Sequence, residues 1–319
     1  MPNKLPVGEV LNEAFQFGLR RWGTVLRFAW LPVLALGVLA VGYFFLVFDI
    51  PKIEAADDPA AILNLGQFLR VSPAVAGLLG FGVYAVIVVF YAGIMTSIFR
   101  LVALGEERPG IFQFRIDGPT MRVFWALVIV SLIGFAIWSF SFFAALAITG
   151  QTSGDVFGAF KDLFWLAATV ENSGEQLAPE QLEAVIAPMG ALGLTFLLAV
   201  IPLIYASVKL APFPPGSAAE NRLLLFGSLE MTKGHFWSIF GVYLLLMLLM
   251  MVIGVVVQLV FAVLELLTDL FSNLGGGAAL VGVIVSFIYF GAAVIYQAFV
   301  YAVQLSAPAI IYRRLKTGK

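Results

Sequence analysis

The sequence contains no cysteine and a single histidine, His235. Without cysteine there is no disulfide framework, no thiolate metal site and no cysteine nucleophile, and one histidine has no visible partners for a metal site. Charge is scarce as well. Asp, Glu, Lys and Arg together make up 12% of 319 residues and sum to a formal net charge of -1, so the chain has no basic field of the kind that draws nucleic acid. The long apolar runs carry no carboxylate at their centres; Asp49, Glu265 and Asp269 stand at run ends. Ion-coupled pumps hold ionisable groups at membrane depth, so this distribution argues against a proton-coupled pump. With no nucleophile–base pair and no metal cluster in view, neither an enzymatic activity nor a cofactor is expected.

Hydrophobic residues fill what charge leaves: 61% of the chain, with a mean hydropathy of +1.01. That is far outside the range of a soluble domain, and it predicts an all-α polytopic membrane protein forming one membrane domain over 1–319.

The stretch from Ser217 to Glu265 displays the unit that the rest of the chain repeats. Ser217-Ala-Ala-Glu220 has the form of a capping box and predicts a helix start at Ser217. Leu223, Leu224, Phe226 and Leu229, set against Arg222, Glu230 and Lys233, suit a helix lying on a membrane. Around Gly234 lies a basic-aromatic lead-in of Lys233, His235, Phe236 and Trp237, then an uncharged run from Phe236 to Leu264. At a rise of about 1.5 Å per residue, that run more than covers a hydrocarbon core of about 30 Å.

The same grammar recurs upstream. Leu5–Arg20 predicts a second amphipathic surface helix, hinged through Arg20, Arg21, Trp22 and Arg27 to a first span over Phe28–Phe48; a cleaved signal peptide would have a shorter run with its basic residues nearer the start. Asp57-Asp58-Pro59 predicts a short interfacial helix. Ser72-Pro73 opens a second span, Ala74–Phe99, in which Gly77, Gly80 and Gly82 permit close helix approach. Asp117-Gly-Pro119 is a plausible cap, and Arg122 to Trp125 leads into a third span ending near Ala147. Val156, Phe157, Phe160, Leu163, Phe164 and Trp165 form another interfacial stripe, and Glu171–Glu183 is an acidic, solvated stretch. Pro188–Leu210 is the fourth span, with Pro202 inside it, and Ala278–Arg314 the last helix. Gly275-Gly276-Gly277 lacks the lysine of a phosphate loop.

Six spans with both termini cytoplasmic place every Lys and Arg except Lys52, Arg70 and Lys161 on the cytoplasmic side, as the positive-inside rule requires. A bacterial inner membrane is the expected location. Tyr91-Ala, Tyr205-Ala and Tyr301-Ala mark the ends of the second, fourth and sixth spans, so the chain reads as three pseudo-repeated hairpins, about 5–104, 105–215 and 216–319. Tyrosine, tryptophan and basic residues gather at membrane interfaces in any protein, which is the competing reading.

Tyr205-Ala-Ser-Val-Lys-Leu-Ala-Pro212, Leu223–Leu229 and Glu230-Met-Thr-Lys-Gly-His-Phe-Trp-Ser-Ile-Phe-Gly241 resemble the helical membrane domain attached to some bacterial glycerophosphoryl diester phosphodiesterases and found in stand-alone inner-membrane proteins. The resemblance implies a six-span bundle with a link to lipids or the envelope. It implies no activity, because the phosphodiesterase chemistry of those fusions resides in a separate barrel.

Two sets of residues stand as candidate sites. Arg20, Arg21, Arg122, Lys233 and His235 would converge at the cytoplasmic face of related hairpins and hold anionic phospholipid heads, each near-surface charge contributing about 1 kcal/mol; topology alone accounts for them equally well. For His235 an interfacial packing role competes with phosphate binding. Ser207, Gln258 and Gln297 would line a cavity for a lipid head or small solute, or bond between helices. The function these sets predict is that of a lipid-associated accessory or scaffold protein, the alternative being a transporter or channel for a lipid or small solute. Expected partners are membrane lipids, together with a membrane protein or a second copy of the chain.

Overall fold

A computed structural model describes residues 5–50, 52, 68–107, 116–156, 158–159, 179–273 and 277–318, with side chains undescribed at 179–185, 187, 271–273 and 277–279. The described chain is all-α. Its helices are α1 (Val7–Val47), α2 (Pro73–Leu104), α3 (Gly118–Thr149), α4 (Pro179–Leu210), α5 (Phe213–Glu220), α6 (Leu225–Met231), α7 (Phe236–Asn273) and α8 (Gly277–Thr317). Six of them, all but the short α5 and α6, are long and apolar enough to cross a membrane, as the sequence predicts. The expected helix at Asp57-Asp58-Pro59, most of the stripe from Val156 to Trp165, most of Glu171–Glu183 and Gly275-Gly276 lie outside the described residues.

The ends of these helices follow local chemistry. At the start of α3, Asp117 accepts from the Thr120 backbone N–H (3.2 Å) and from the Thr120 hydroxyl (3.0 Å), which is the expected cap. Gly105 and Gly150 follow α2 and α3 with φ of 71° and 70°, left-handed conformations that a side chain would strain. Beyond α3, Thr152 and Asp155 cap each other: Asp155 accepts from the Thr152 N–H (2.7 Å) and hydroxyl (2.7 Å), and the Asp155 N–H donates to the Thr152 hydroxyl (3.2 Å). The backbone N–H of Thr152 holds the Asp155 carboxyl below the usual carboxylate range.

Two expectations fail here. No break separates the first surface helix from the first span, because α1 runs unbroken through Arg20, Arg21 and Arg27 and through Pro32. A basic cluster marks where a helix meets the interface but removes no backbone hydrogen bond, so the helix has no reason to stop. Likewise, Ser217 caps no helix start. It is buried inside α5, where its hydroxyl donates to the Phe213 carbonyl (2.8 Å) and accepts from the Leu224 N–H (3.2 Å). The expected surface helix Ser217–Lys233 is thus two short helices. Asn221, with φ 55°, closes the first of them.

The chain divides into two compact units. The first comprises Met1–Leu34, Val89–Leu127 and Val208–Lys319 and contains all but three of the 18 lysines and arginines, the exceptions being Lys52, Arg70 and Lys161. Its core draws on the start of α1 (Val10, Ala14, Val25), the end of α2 (Ile98, Phe99), the starts of α3 and α7 (Val123, Ile239) and the end of α8 (Val303, Ile310, Ile311). Farther along, α7 and α8 pack as a hairpin in which Phe261 meets the rings of Tyr289 (5.0 Å) and Tyr296 (6.4 Å).

The second unit comprises Ala35–Val88 and Val128–Ser207. An isolated antiparallel bridge between Phe48 and Leu69 closes the ends of its first polar connection. Lys52 and Arg70, the two described cations of this unit, both reach Asp49, at 3.3 and 3.6 Å. Of the three glycines expected to admit a neighbour in α2, only Gly80 does so, against the Tyr43 hydroxyl of α1; Gly77 and Gly82 have nothing within 4 Å. Leu146 of α3, Val156 beyond it and Ala191 of α4 form a cluster, and small residues of α3 and α4 are buried as well, with Ala145, Thr195 and Ala199 fully so. Such residues let helix backbones approach where lipid gives no hydrophobic drive to associate.

Candidate functional site: the basic end of the first unit

α1, α3 and α7 begin in this part of the first unit, and α2, α4 and α8 end in it. Helix starts expose N–H groups and helix ends expose carbonyls, so both signs of partial charge must be met here. Side chains from other helices meet them. Arg313 of α8 donates to the Val102 carbonyl in the last turn of α2 (3.1 Å), and Arg100 of α2 donates to the Ala218 carbonyl near the end of α5 (3.1 Å). Ser228 of α6 donates to the Lys209 carbonyl at the end of α4 (2.8 Å). Ser228 of α6 and Thr232 just beyond it are consequently buried, while Phe226 is 78% exposed and Leu223 and Leu229 are also exposed. Trp237, at the start of α7, is 76% exposed.

Carboxylates at this end are mostly engaged by cations. Glu13 pairs with Arg313 and with Arg314 (3.3 Å), and Arg314 also reaches Glu9 (2.8 Å). Arg100 grips Glu106 with two parallel bonds of 2.8 and 2.9 Å, the geometry only a guanidinium supplies. Glu220 receives Arg222 (2.7 Å), Lys316 (3.0 Å) and the Tyr312 hydroxyl (2.9 Å). Glu230 is exposed and has no ion-pair partner among the described residues.

Against this network the candidate residues divide. Arg21 is paired with Glu107, and Arg122 donates to the Asn221 side chain, so both are engaged within the protein. Arg20 and Lys233 are exposed and His235 half-buried, none with a side-chain partner among the described residues; the same holds for exposed Arg27. No bond brings the five together as one cluster. Ser207, Gln258 and Gln297 are exposed on their helices, and none lines the pocket at this end. That pocket lies beside Phe28, Thr96, Arg100 and Asp117, and its free space of about 10 Å³ suits about one water. Among the described residues no group of histidine and carboxylate side chains is placed to hold a metal.

The ties from Arg100 and Arg313 to carbonyls were not legible, since residues 118 and 211 positions apart meet only in the folded chain. Their signal is indirect: an arginine four residues before the end of a helix. Arg100→Lys keeps the charge that sets topology but loses the fork on Glu106 and the Ala218 bond. It is expected to cost about 1–2 kcal/mol, the partial exposure of Glu106 keeping the loss small, and to lower the thermal midpoint of the detergent-solubilised protein with insertion unchanged. A midpoint equal to that of the parent chain would reduce Arg100 to a topology marker.

No family model matches the chain, and neither a curated protein nor a solved structure matches it.

Proposed function

We propose that this integral membrane protein is a lipid-associated accessory or scaffold protein, holding anionic phospholipid at the end of its first unit that carries both termini. The carrying observation is the pairing of exposed cations without protein partners, Arg20, Arg27 and Lys233, with the outward apolar side chains Phe226 and Trp237. Aromatic rings of that kind seat at headgroup depth, and near-surface cations there attract anionic heads. The proposal places this end at the cytoplasmic leaflet of a bacterial inner membrane, with α6 and the start of α1 at the interface and the six spans as three related hairpins. The sequence resemblance to envelope membrane domains supports the same reading. Arg21 and Arg122 are secondary in it, being engaged with Glu107 and Asn221.

Native mass spectrometry of the protein released from membranes tests the lipid part. Replacing Arg20, Arg27 and Lys233 together by glutamine is expected to reduce retained anionic phospholipid at least threefold, each charge contributing about 1 kcal/mol near the surface, whereas Arg21→Gln changes it little. Equal retention in the triple variant would leave these residues as topology signals. Reporter fusions after Gly174 and after Lys319 are expected on opposite sides of the membrane; the same side for both would overturn the orientation.

A further inference from the structure

The second unit contains a groove of about 470 Å³ between α3 and α4, within the range of about 300–1,000 Å³ usual for small-molecule sites. Its walls are apolar: Ala136, Ile137, Phe140 and Ala144 from α3, Leu198 from α4. Two polar features interrupt them. Ser141 lines the groove with only 3% of its surface exposed, and its hydroxyl has no hydrogen-bond partner among the described residues. Neighbouring membrane hydroxyls behave otherwise: Thr149 and Thr195 donate to the carbonyls of Ala145 and Ala191, one turn back. On the facing wall Pro202 has no N–H to give the Leu198 carbonyl, its partner one turn back. A buried polar group left without a partner costs about 1–3 kcal/mol, so Ser141 favours a ligand that satisfies it, and the Leu198 carbonyl, which Pro202 cannot serve, offers that ligand an acceptor.

We propose that this groove binds a neutral lipid bearing a free hydroxyl, whose chain lies along Phe140 and Leu198 and whose hydroxyl engages Ser141 and the Leu198 carbonyl. One hydroxyl both accepts and donates, which matches one donor facing one acceptor. Charge argues in the same direction. Among the described residues no charged side chain lines the groove, and Lys52 and Arg70, the described cations of this unit, are committed to Asp49. Ser141 lies eight residues before the end of α3 at Thr149, about 12 Å along the helix axis. That depth is below the headgroup layer, where an ionised head is costly and a hydroxyl is tolerated. The groove is thereby chemically distinct from the basic end of the first unit, and its occupancy does not depend on anionic lipid binding there.

The test uses the full chain in nanodiscs with a diacylglycerol that carries a photoreactive group on its acyl chain. Labelling is expected in peptides containing Phe140–Ala144 and Leu198–Pro202 and is expected to be competed by unlabelled diacylglycerol but not by phosphatidylglycerol. Ser141→Ala, which removes one oxygen from a buried site, is expected to weaken competition roughly three- to tenfold, the effect of one hydrogen bond, and Ser141→Thr to restore most of it. Ala144→Trp fills the groove and is expected to abolish labelling there. Labelling that persists in Ala144→Trp, competition by phosphatidylglycerol or by the hydroxyl-blocked triacylglycerol as strong as by diacylglycerol, or indifference to Ser141→Ala would each overturn the proposal. Should Ala144→Trp not fold, the Ser141 pair and the competition series still decide it.

Discussion

Gly18→Leu is expected to abolish the folded protein, and Gly18→Ala to destabilise it by about 1–3 kcal/mol, the usual range for forcing extra carbon into a filled core. A methyl group at Gly18 would overlap the Val303 Cγ2 of α8 and stand 3.1 Å from the Phe299 ring. Neither neighbour has room to move. Val303 is fully buried and, as a β-branched residue in a helix, has essentially one rotamer, while Phe299 is fixed edge-on against Phe15 at 5.4 Å. Isobutyl in place of hydrogen therefore separates α1 from α8, and the ion pairs of Glu9 and Glu13 with Arg313 and Arg314 go with that contact. Against a total stability of about 5–15 kcal/mol, losing one helix–helix seam is enough. Gly8 and Gly23 of the same helix have nothing within 4 Å, so their alanine variants are expected to match or slightly exceed the parent in thermal midpoint. Fluorescence-detected size exclusion after heating compares the four variants. A Gly18→Leu variant that melts with the parent would show that α1 and α8 do not meet there.

That seam joins residues almost 300 positions apart, and the contrast with the spans explains what the sequence disclosed. Span length and apolarity are local properties, so α2, α3 and the start of α7 were legible to within a few residues, as was the Asp117 cap, while α7 runs on past the expected Leu264 to Asn273. The segregation of cations was legible for the same reason, and it coincides with the first compact unit. The Ser217 misreading has a definite cause. Ser-x-x-Glu is a short pattern that a buried serine can satisfy by accident, whereas Pro212, Pro214 and Pro215 ahead of it and Asn221 behind it were stronger punctuation for a helix over Phe213–Glu220. Around α6 the residues read as polar, Arg222, Glu230 and Lys233, are exposed, and what the pattern did not disclose is that Ser228 turns inward to donate to the Lys209 carbonyl at the end of α4. Ala191, Thr195 and Ala199, spaced four apart, are a readable small-residue seam that the search for glycine overlooked.

Glu13→Arg is the second large effect expected, and its cause is charge instead of volume. The parent carboxylate sits between Arg313 and Arg314, about one-third exposed. Replacing it removes the only anion Arg313 pairs with among the described residues and adds a third cation. Two unit charges at 4 Å repel by about 4 kcal/mol at an effective dielectric of 20 and by about 1 kcal/mol in bulk water. Partial exposure puts this site between those limits, so a loss of about 2–4 kcal/mol is expected, with Glu13→Gln costing less than half of it. Arg313 has little freedom to escape, since retreating from the new charge breaks its bond to the Val102 carbonyl and leaves the end of α2 uncapped. Salt separates this cause from a steric one. Raising ionic strength from about 0.1 M to 1 M shortens the screening length from about 10 Å to about 3 Å, so the thermal midpoint of Glu13→Arg should recover toward that of Glu13→Gln, while that of Gly18→Ala should not. If the charge-reversed variant is as stable as the parent at low salt, or if its defect is indifferent to salt, the network between α1 and α8 does not hold the two ends of the chain together by charge.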